Sequence, residues 1–375
     1  MAHDKAAAPT SLKVLMRNRG NALSNPGGDT VVMVRTAEEL GKRGIHVDID
    51  VQCERTIKDY DIVHLHNFAT PRHTETLARQ CADAGVPYVV TTMYEDAPLF
   101  YSQMTAQAQA FFSYIQSGQP ADQFDAFMAP VRSCTAAAML DNTWTAEHAA
   151  ALIASGAREE ATLERDYPGT NRVTTYRLGS DLGYPDIDGS LFETTTGLSD
   201  FVLCVGRVES RKNQLMLLKA LEDSELPVVF ATGGFTYQPQ YAKACTALKR
   251  KGKTFFLNRL EDDVLASAYA AARVHVLPSW YELPGIVSQE AAKRGTNVVV
   301  TDNGTARDYF GDAAYYCYPD DPQSVYSAVR EAFDSPTRQG LSESVSDCSW
   351  ENAASRILGI YRQVLGEMGI WPDPT

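Results

Sequence analysis

The stretch Val274-His-Val-Leu-Pro-Ser-Trp-Tyr-Glu-Leu-Pro-Gly-Ile-Val-Ser-Gln-Glu290 decides how the rest of the chain is read. Its first four residues form a short apolar run, read as a buried parallel strand. Pro278-Ser-Trp-Tyr281 is a turn. An acid follows (Glu282), then a Pro284-Gly285 break, then a helix start carrying a second acid, Glu290. Strand, tight loop and helix N-terminus make a place for an anion, because free backbone N–H groups and the positive end of the helix dipole point above the loop. Gly285 has no Cβ, so a ligand can come close to its backbone. Seven residues separate Glu282 from Glu290. That spacing puts one acid in the loop and the other two turns into the helix, both able to face one ligand.

A second block, Cys204-Val-Gly-Arg-Val-Glu-Ser-Arg-Lys-Asn213, also follows a strand and opens a helix. Gly206 permits the tight exit, and Arg207 and Lys212 share the loop. Arg211 is the weakest ligand candidate of the three basic residues. In open αβ sheets ligands bind beyond the carboxyl ends of the strands. Both blocks lie there, as does Gly233-Gly234 after the next strand.

The Glu282-to-Glu290 block resembles the Glu-x7-Glu motif of retaining GT-B-fold nucleotide-sugar glycosyltransferases, glycosyltransferase family 4 in particular. The second block resembles the family's Gly-Arg-x4-Lys pattern. The resemblance is strong over roughly residues 200–365 and weaker before. It implies that Arg207 and Lys212 grip the donor diphosphate, Glu282 touches the donor sugar and Glu290 the nucleotide ribose. The backbone at Pro284, Gly285, Ile286 and Val287 would cradle phosphate. Gly206 and Gly234 would line the same edge, and Asn258 and Leu260, within Asn258-Arg-Leu-Glu261, would read the base. Gly28, in a glycine pair before the first helix, would approach the donor phosphate. His66, Asn67 and Glu95 are acceptor-side candidates. Tyr94 is placed with the catalytic group because Thr91-Thr-Met-Tyr-Glu-Asp96 stands where relatives carry a Thr-x-His-Asp-like segment. A phenol can donate to a sugar hydroxyl but titrates far from neutrality.

Outward from these blocks, αβ units alternate along the chain, which indicates doubly wound parallel sheets. Residues 1–10 read as a disordered tail and 11–182 as an N-terminal acceptor domain. A linker is expected over 183–199, and a C-terminal donor domain over 200–348. An amphipathic helix over 349–368 would pack back on the N-terminal domain, as the resemblance implies. The fold class expected is α/β, GT-B: two Rossmann-like domains facing across a cleft. In the first domain, strands are expected at 12–16, 45–51, 61–66, 86–93, 136–141 and 173–176. A helix is expected over 146–154, capped by Thr145, and mostly helical structure over 100–135. Asp29 is expected to cap the first helix.

The chain has 375 residues, 44% of them hydrophobic, enough for two cores. Thirty-four basic against 47 acidic residues give a net charge of −13, which disfavours nonspecific nucleic-acid binding. Seven scattered cysteines with no Cys-x-x-Cys pair suggest neither a disulfide framework nor a zinc site. There is no signal-peptide core and no spanning apolar run, so a cytoplasmic enzyme is expected, with peripheral membrane contact left open. His64 and His66 share one strand face but lack a third ligand nearby. Asp48-Ile-Asp50 and Asp186-Ile-Asp188 mimic an Asp-x-Asp metal motif and are read as solvated acids. No metal and no cofactor is expected.

The reading is therefore a metal-independent hexosyltransferase of polysaccharide biosynthesis. It would use a UDP- or GDP-sugar and an unidentified hydroxyl acceptor: a glycan, a lipid-linked acceptor or a small molecule. The Tyr94 departure keeps an alternative open, a catalytically weak nucleotide-sugar-binding subunit of a glycan-assembly complex. A GT-B sugar-nucleotide epimerase is a further alternative.

Overall fold

The computed structural model describes residues 12–95, 141–234 and 236–370. Two compact units divide the chain. The first holds residues 1–94, 140–179 and 348–375, and the second holds 95–139 and 180–347.

The first unit is built on a parallel sheet of β1 (Lys13–Arg17), β2 (His46–Ile49), β3 (Ile62–His66), β4 (Tyr88–Thr91), β5 (Ala151–Ala154) and β6 (Val173–Thr175). Their order is β2-β1-β3-β4-β5-β6. Helix α1 (Gly28–Lys42) follows β1 and α2 (Pro71–Ala84) follows β3. Pro71 starts α2 at a position that needs no N–H donor, and Gly85 ends it at φ 69°. The last helix of the chain (Trp350–Glu367) packs on α1. Its buried stripe, Trp350, Ala353, Ala354, Ile357, Tyr361 and Val364, follows helical spacing. Ser349 caps it by accepting from the Asn352 N–H at 3.0 Å.

The structure corrects several expectations in this unit. Residues 151–154 are a central strand, not the end of a helix; α3 (Thr143–His148) is a short turn before it. Leu152 and Ile153 are fully buried between neighbouring strands, and burial on both faces overrides the weak helical pattern. Thr145 lies inside α3, so it does not cap. Gly27, not Asp29, is the N-cap of α1, and Asp29 bonds Arg19 instead. Asp48 and Asp50 are not solvated acids. Asp50 is buried, accepts from Arg17 at 2.9 Å and takes the Glu54 and Arg55 N–H groups at 3.0 Å each. Asp48 takes the Tyr60 hydroxyl at 2.7 Å and Arg55 at 3.0 Å. The tail and the segment 100–135 lie outside the described residues, as does almost all of 136–141.

The second unit holds β7 (Val202–Val205), β8 (Val228–Ala231), β9 (Thr254–Leu257), β10 (Val274–Leu277), β11 (Asn297–Thr301) and β12 (Tyr315–Cys317). Every pair is parallel, in the order β12-β11-β10-β7-β8-β9. The stretch read as a linker contains α5 (Ser190–Thr196), docked on α8 (Asp262–Ala271). Phe192 is fully buried there, and its N–H donates to Ser267 Oγ at 2.9 Å. Asp186 is exposed, and Asp188, also exposed, accepts from the Ser190 N–H at 3.0 Å just before α5.

Candidate functional site

The second sheet fixes where a ligand would lie. The chain starts at β7, winds outward through β8 and β9, then returns to place β10 beside β7 on its other side. The strand order reverses between β7 and β10. The loops leaving these two strands start on either side of that point, the place where open αβ sheets bind ligands. Those loops are the two sequence blocks, some 70 residues apart in the chain.

The loop after β7 leaves through Gly206 at φ 145°, a value that favours glycine. Residues Ser210–Lys212 form one 3₁₀ turn, and Asn213 follows at φ 60°. The Asn213 side chain ties this loop to its surroundings, donating to the carbonyls of Pro278 at 3.1 Å and Pro319 at 2.8 Å. The Trp280 N–H donates to the Arg211 carbonyl at 3.0 Å. The β7 and β10 loops are thus stitched together through their backbones.

Lys212 Nζ then meets both oxygens of Glu282, at 2.8 and 3.1 Å. The pair is mostly enclosed, with side-chain exposures of 17% and 6%. Burial alone would push the Glu282 carboxyl up. The Lys212 and Arg211 charges, and the Lys212 hydrogen bond, outweigh it and hold Glu282 below the usual value. Arg207 lies apart from this pair, 3.6 Å from Glu209, with its guanidinium 5.5 Å from the centre of the Tyr237 ring. Arg211 pairs with Glu95, the first residue of the second unit.

After the Glu282 loop, Gly285 stands at φ 84° as the N-cap of α9 (Ile286–Lys293). A Cβ at Gly285 would lie 3.1 Å from Glu282 Cγ and 3.2 Å from Leu277 Cδ2. Glycine is required there twice, by conformation and by space. The Ile286 and Val287 N–H groups have no intrahelical acceptor in the first turn. Glu290 is the fifth residue of α9, little more than one turn in rather than two. It is 6% exposed, and the Tyr269 hydroxyl donates to its Oε2 at 3.0 Å. Burial raises its carboxyl to about 7, against the pull of Tyr269, Arg294 and Lys293.

Gly234 (φ 79°) sits on the turn after β8, and a Cβ there would be 3.8 Å from the Arg259 N–H nitrogen. Asn258 is exposed and Leu260 half-buried in the loop after β9. Both loops leave the same sheet edge.

Sequence reading missed the loop after β11. Glu282 is held in a single parallel bridge to Gly304. Its N–H donates to the Asn303 carbonyl at 3.2 Å, and its carbonyl accepts from the Thr305 N–H at 3.0 Å. A Cβ on Gly304 would fall 2.1 Å from the Glu282 carbonyl oxygen. The Asp302-Asn-Gly304 turn signal was visible, but nothing local linked it to Glu282.

The remaining candidates belong to the first unit. Gly28 is the first residue of α1. His66 is buried under β1, with Nδ1 3.3 Å from the Arg17 carbonyl and Nε2 without a protein partner among the described residues. Its ring stacks on His64 at 4.2 Å, and His64 in turn meets the Tyr361 hydroxyl at 2.6 Å and Thr91 Oγ1 at 2.7 Å. Burial lowers His66 to about 4. Asn67, at φ 80°, donates to Asp29 at 3.4 Å. The Tyr94 hydroxyl donates to Asp166 at 2.8 Å, and its ring packs against Phe68 and Tyr167. The buried Glu159, also missed, fixes this turn by accepting from the Tyr94 N–H and the Thr92 hydroxyl, both at 2.6 Å. Among the described residues no cluster of three His, Cys, Asp or Glu side chains is placed to hold a metal ion. No described helix is long and apolar enough to cross a membrane.

Comparison with known proteins agrees with this layout. Residues 195–347 match the family described as Glycosyl transferases group 1. An uncharacterised glycosyltransferase of Methanocaldococcus jannaschii is 29% identical over 196 residues, covering 48% of this chain and 49% of that protein. The serotype-specific mannosyltransferase WbdA of Escherichia coli is 26% identical over 202 residues, covering 50% of this chain and 24% of that protein. The chain thus spans about half the length, or less, of these curated relatives. Among solved structures, a sucrose-phosphate synthase from Thermosynechococcus elongatus superposes with a TM-score of 0.69 at 16% identity, covering 95% of this chain and all of that one. HepE of Anabaena, crystallised with UDP, gives 0.65 at 16% identity, covering 96% of this chain and all of that one. The sheet order and these superpositions give the chain the GT-B fold, and residues 195–347 within it are similar to the glycosyl transferases group 1 family.

Proposed function

We propose that this chain is a retaining glycosyltransferase that moves a hexose from a nucleotide-diphosphate sugar to a hydroxyl acceptor without a metal ion. The observation that carries the reading is the meeting of Lys212 and Glu282 at the reversal point of the second sheet, beside the N-terminus of α9. Transfer breaks the bond between the sugar's anomeric carbon and a phosphate oxygen. It forms a bond from that carbon to the acceptor oxygen on the same face. The acceptor's proton passes to an oxygen of the departing diphosphate, so no protein base is needed.

The chemistry asks the protein for charge on the leaving group. Lys212, Arg207 and the first N–H groups of α9 supply it, preorganised and largely out of water, where such donors act most strongly. Glu282 is ionised and held by Lys212, and accepts from sugar hydroxyls. Glu290 accepts from the ribose. Gly234, Asn258 and Leu260 lie where the base would rest. His66, Asn67 and Glu95 are left to the acceptor side. Tyr94, whose hydroxyl already serves Asp166, shapes the turn that ends in Glu95. Relatives and structural neighbours that act in carbohydrate synthesis, with HepE seen holding UDP, support a nucleotide-sugar donor.

The test is a thermal-shift and calorimetric panel of UDP, GDP, ADP and their common sugars, with and without chelator. A ligand that binds only the native state must raise its stability. One nucleotide should raise the melting temperature, unaffected by chelator, and its sugar should then be the donor for acceptor screening. Absence of any shift in a folded sample would overturn the donor site.

A further inference from the structure

We propose that Tyr269 is a positioning residue for the nucleotide ribose: its phenol fixes one oxygen of Glu290 and leaves the other free to accept ribose hydroxyls. The inference rests on the reading of Glu290 as the ribose acid. Tyr269 is fully buried on α8, and its hydroxyl donates to Glu290 Oε2 at 3.0 Å across the α8–α9 contact. It is the only hydrogen-bond donor that reaches that carboxylate among the described residues. Oε1 therefore keeps its full accepting capacity. A buried carboxylate without any donor would be neutralised rather than held as an anion.

Tyr269 is itself held at its backbone and at its ring. Its carbonyl accepts from Thr296 Oγ1. Its ring lies 5.8 Å from that of His275 on β10. Burial pushes its phenol well above the ordinary value, so it stays a donor across the whole working range. The other charged groups facing Glu290 are Arg294 and Lys293 on its own helix, which favour the anion, and Asp262 at the start of α8, which opposes it. Both basic groups are engaged elsewhere: Lys293 donates to the Ser180 carbonyl and Arg294 to the Gly183 carbonyl. The phenol is the contact that sets where the carboxylate points.

The consequence is a specific pH dependence. Ribose recognition needs the Glu290 anion, so it should strengthen as pH rises through about 7. Removing the phenol removes a donor to the anion, which raises the acid's pKa and moves that rise to higher pH.

The experiment is calorimetry of UDP, GDP and ADP on the full chain between about pH 6 and about pH 9. Their 2′,3′-dideoxy forms are titrated beside them. The dideoxy forms share the diphosphate's own protonation, so the difference isolates the ribose. In the unmodified protein this difference should grow through about pH 7. In Tyr269→Phe its midpoint should move up by about one unit, with dideoxy binding unchanged. In Glu290→Gln the difference should lose its pH dependence. A Tyr269→Phe profile matching the unmodified protein overturns the role of Tyr269, while Glu290→Gln still tests the acid. Loss of dideoxy binding in Tyr269→Phe also overturns it, because the effect is then structural. A Glu290→Gln protein that keeps the full ribose difference at every pH overturns the reading of Glu290 itself.

Discussion

Arg17, at the carboxyl end of β1, and Lys212, beyond the carboxyl end of β7, occupy comparable places in two doubly wound sheets and end in different states. Arg17 is 2% exposed and closed on Asp50, on Gln80 at 3.0 Å and on the Arg55 carbonyl at 3.0 Å. Lys212 is 17% exposed and touches Glu282, and Arg207, on the same loop, is a third exposed. The strand orders differ as well. The second sheet has two strands wound to one side of its first strand, and the first sheet has one. Similar layers thus carry charge that is enclosed by the fold in one unit and left partly open in the other. An ion pair at a strand end is by itself no sign of function; what separates the cases is how much donor capacity remains exposed.

Three experiments would break or sharpen this contrast. The largest expected effect is on the closed pair. Asp50→Ala leaves the Arg17 guanidinium buried without its partner, which should cost about 3–5 kcal/mol of stability. Urea denaturation reads the loss, and nucleotide affinity in the surviving folded protein should be unchanged. A loss below about 1 kcal/mol would place Asp50 with the surface pairs.

Next is the open pair. Lys212→Ala should lower transfer turnover by about 10²–10³-fold, the size of losing one preorganised donor to developing charge. Circular dichroism should show the fold retained. The melting temperature should also fall, since Glu282 is left enclosed without its cation, and the double variant with Glu282→Gln should recover part of that fall. Near-normal turnover in Lys212→Ala would erase the distinction between the two units.

The smallest effect is a titration. Burial lowers His66 to about 4, from an unfolded value near 6.5. Below about 6.5 the unfolded chain binds the proton and the folded one does not. The stability due to a neutral His66 is therefore complete above 6.5 and is lost as pH falls towards 4, at no more than about 1.4 kcal/mol per pH unit. Glu290, raised by burial, works the other way over part of this window. The comparison with His66→Gln, rather than the raw slope, carries the test. Stability differences should shrink steadily between about pH 6.5 and about pH 4. Parallel curves would mean that the His64–His66 stack takes up a proton without penalty.

Local sequence determined a good deal. The two strand–loop–helix blocks, the left-handed Gly285, the cap at Ser349 and the stripe of the last helix follow from rules that reach only a few residues along the chain. At residues 146–154, read as a helix, burial between β4 and β6 made 151–154 a strand, and that burial is not a local property. The pairs Asp48–Tyr60, Asp50–Arg17, Lys212–Glu282 and Tyr269–Glu290 join residues 12 to 70 positions apart. Spacing along the chain carries no record of them. Sequence named the acids and cations of the candidate site because their chemistry is fixed by residue type. Only the sheet, by returning β10 to the side of β7, decided that Lys212 and Glu282 meet, and only the β11 loop, through Gly304, decided where Glu282 is held. Strand neighbours are chosen by the packing of the whole unit, and that choice brings two distant loops into contact.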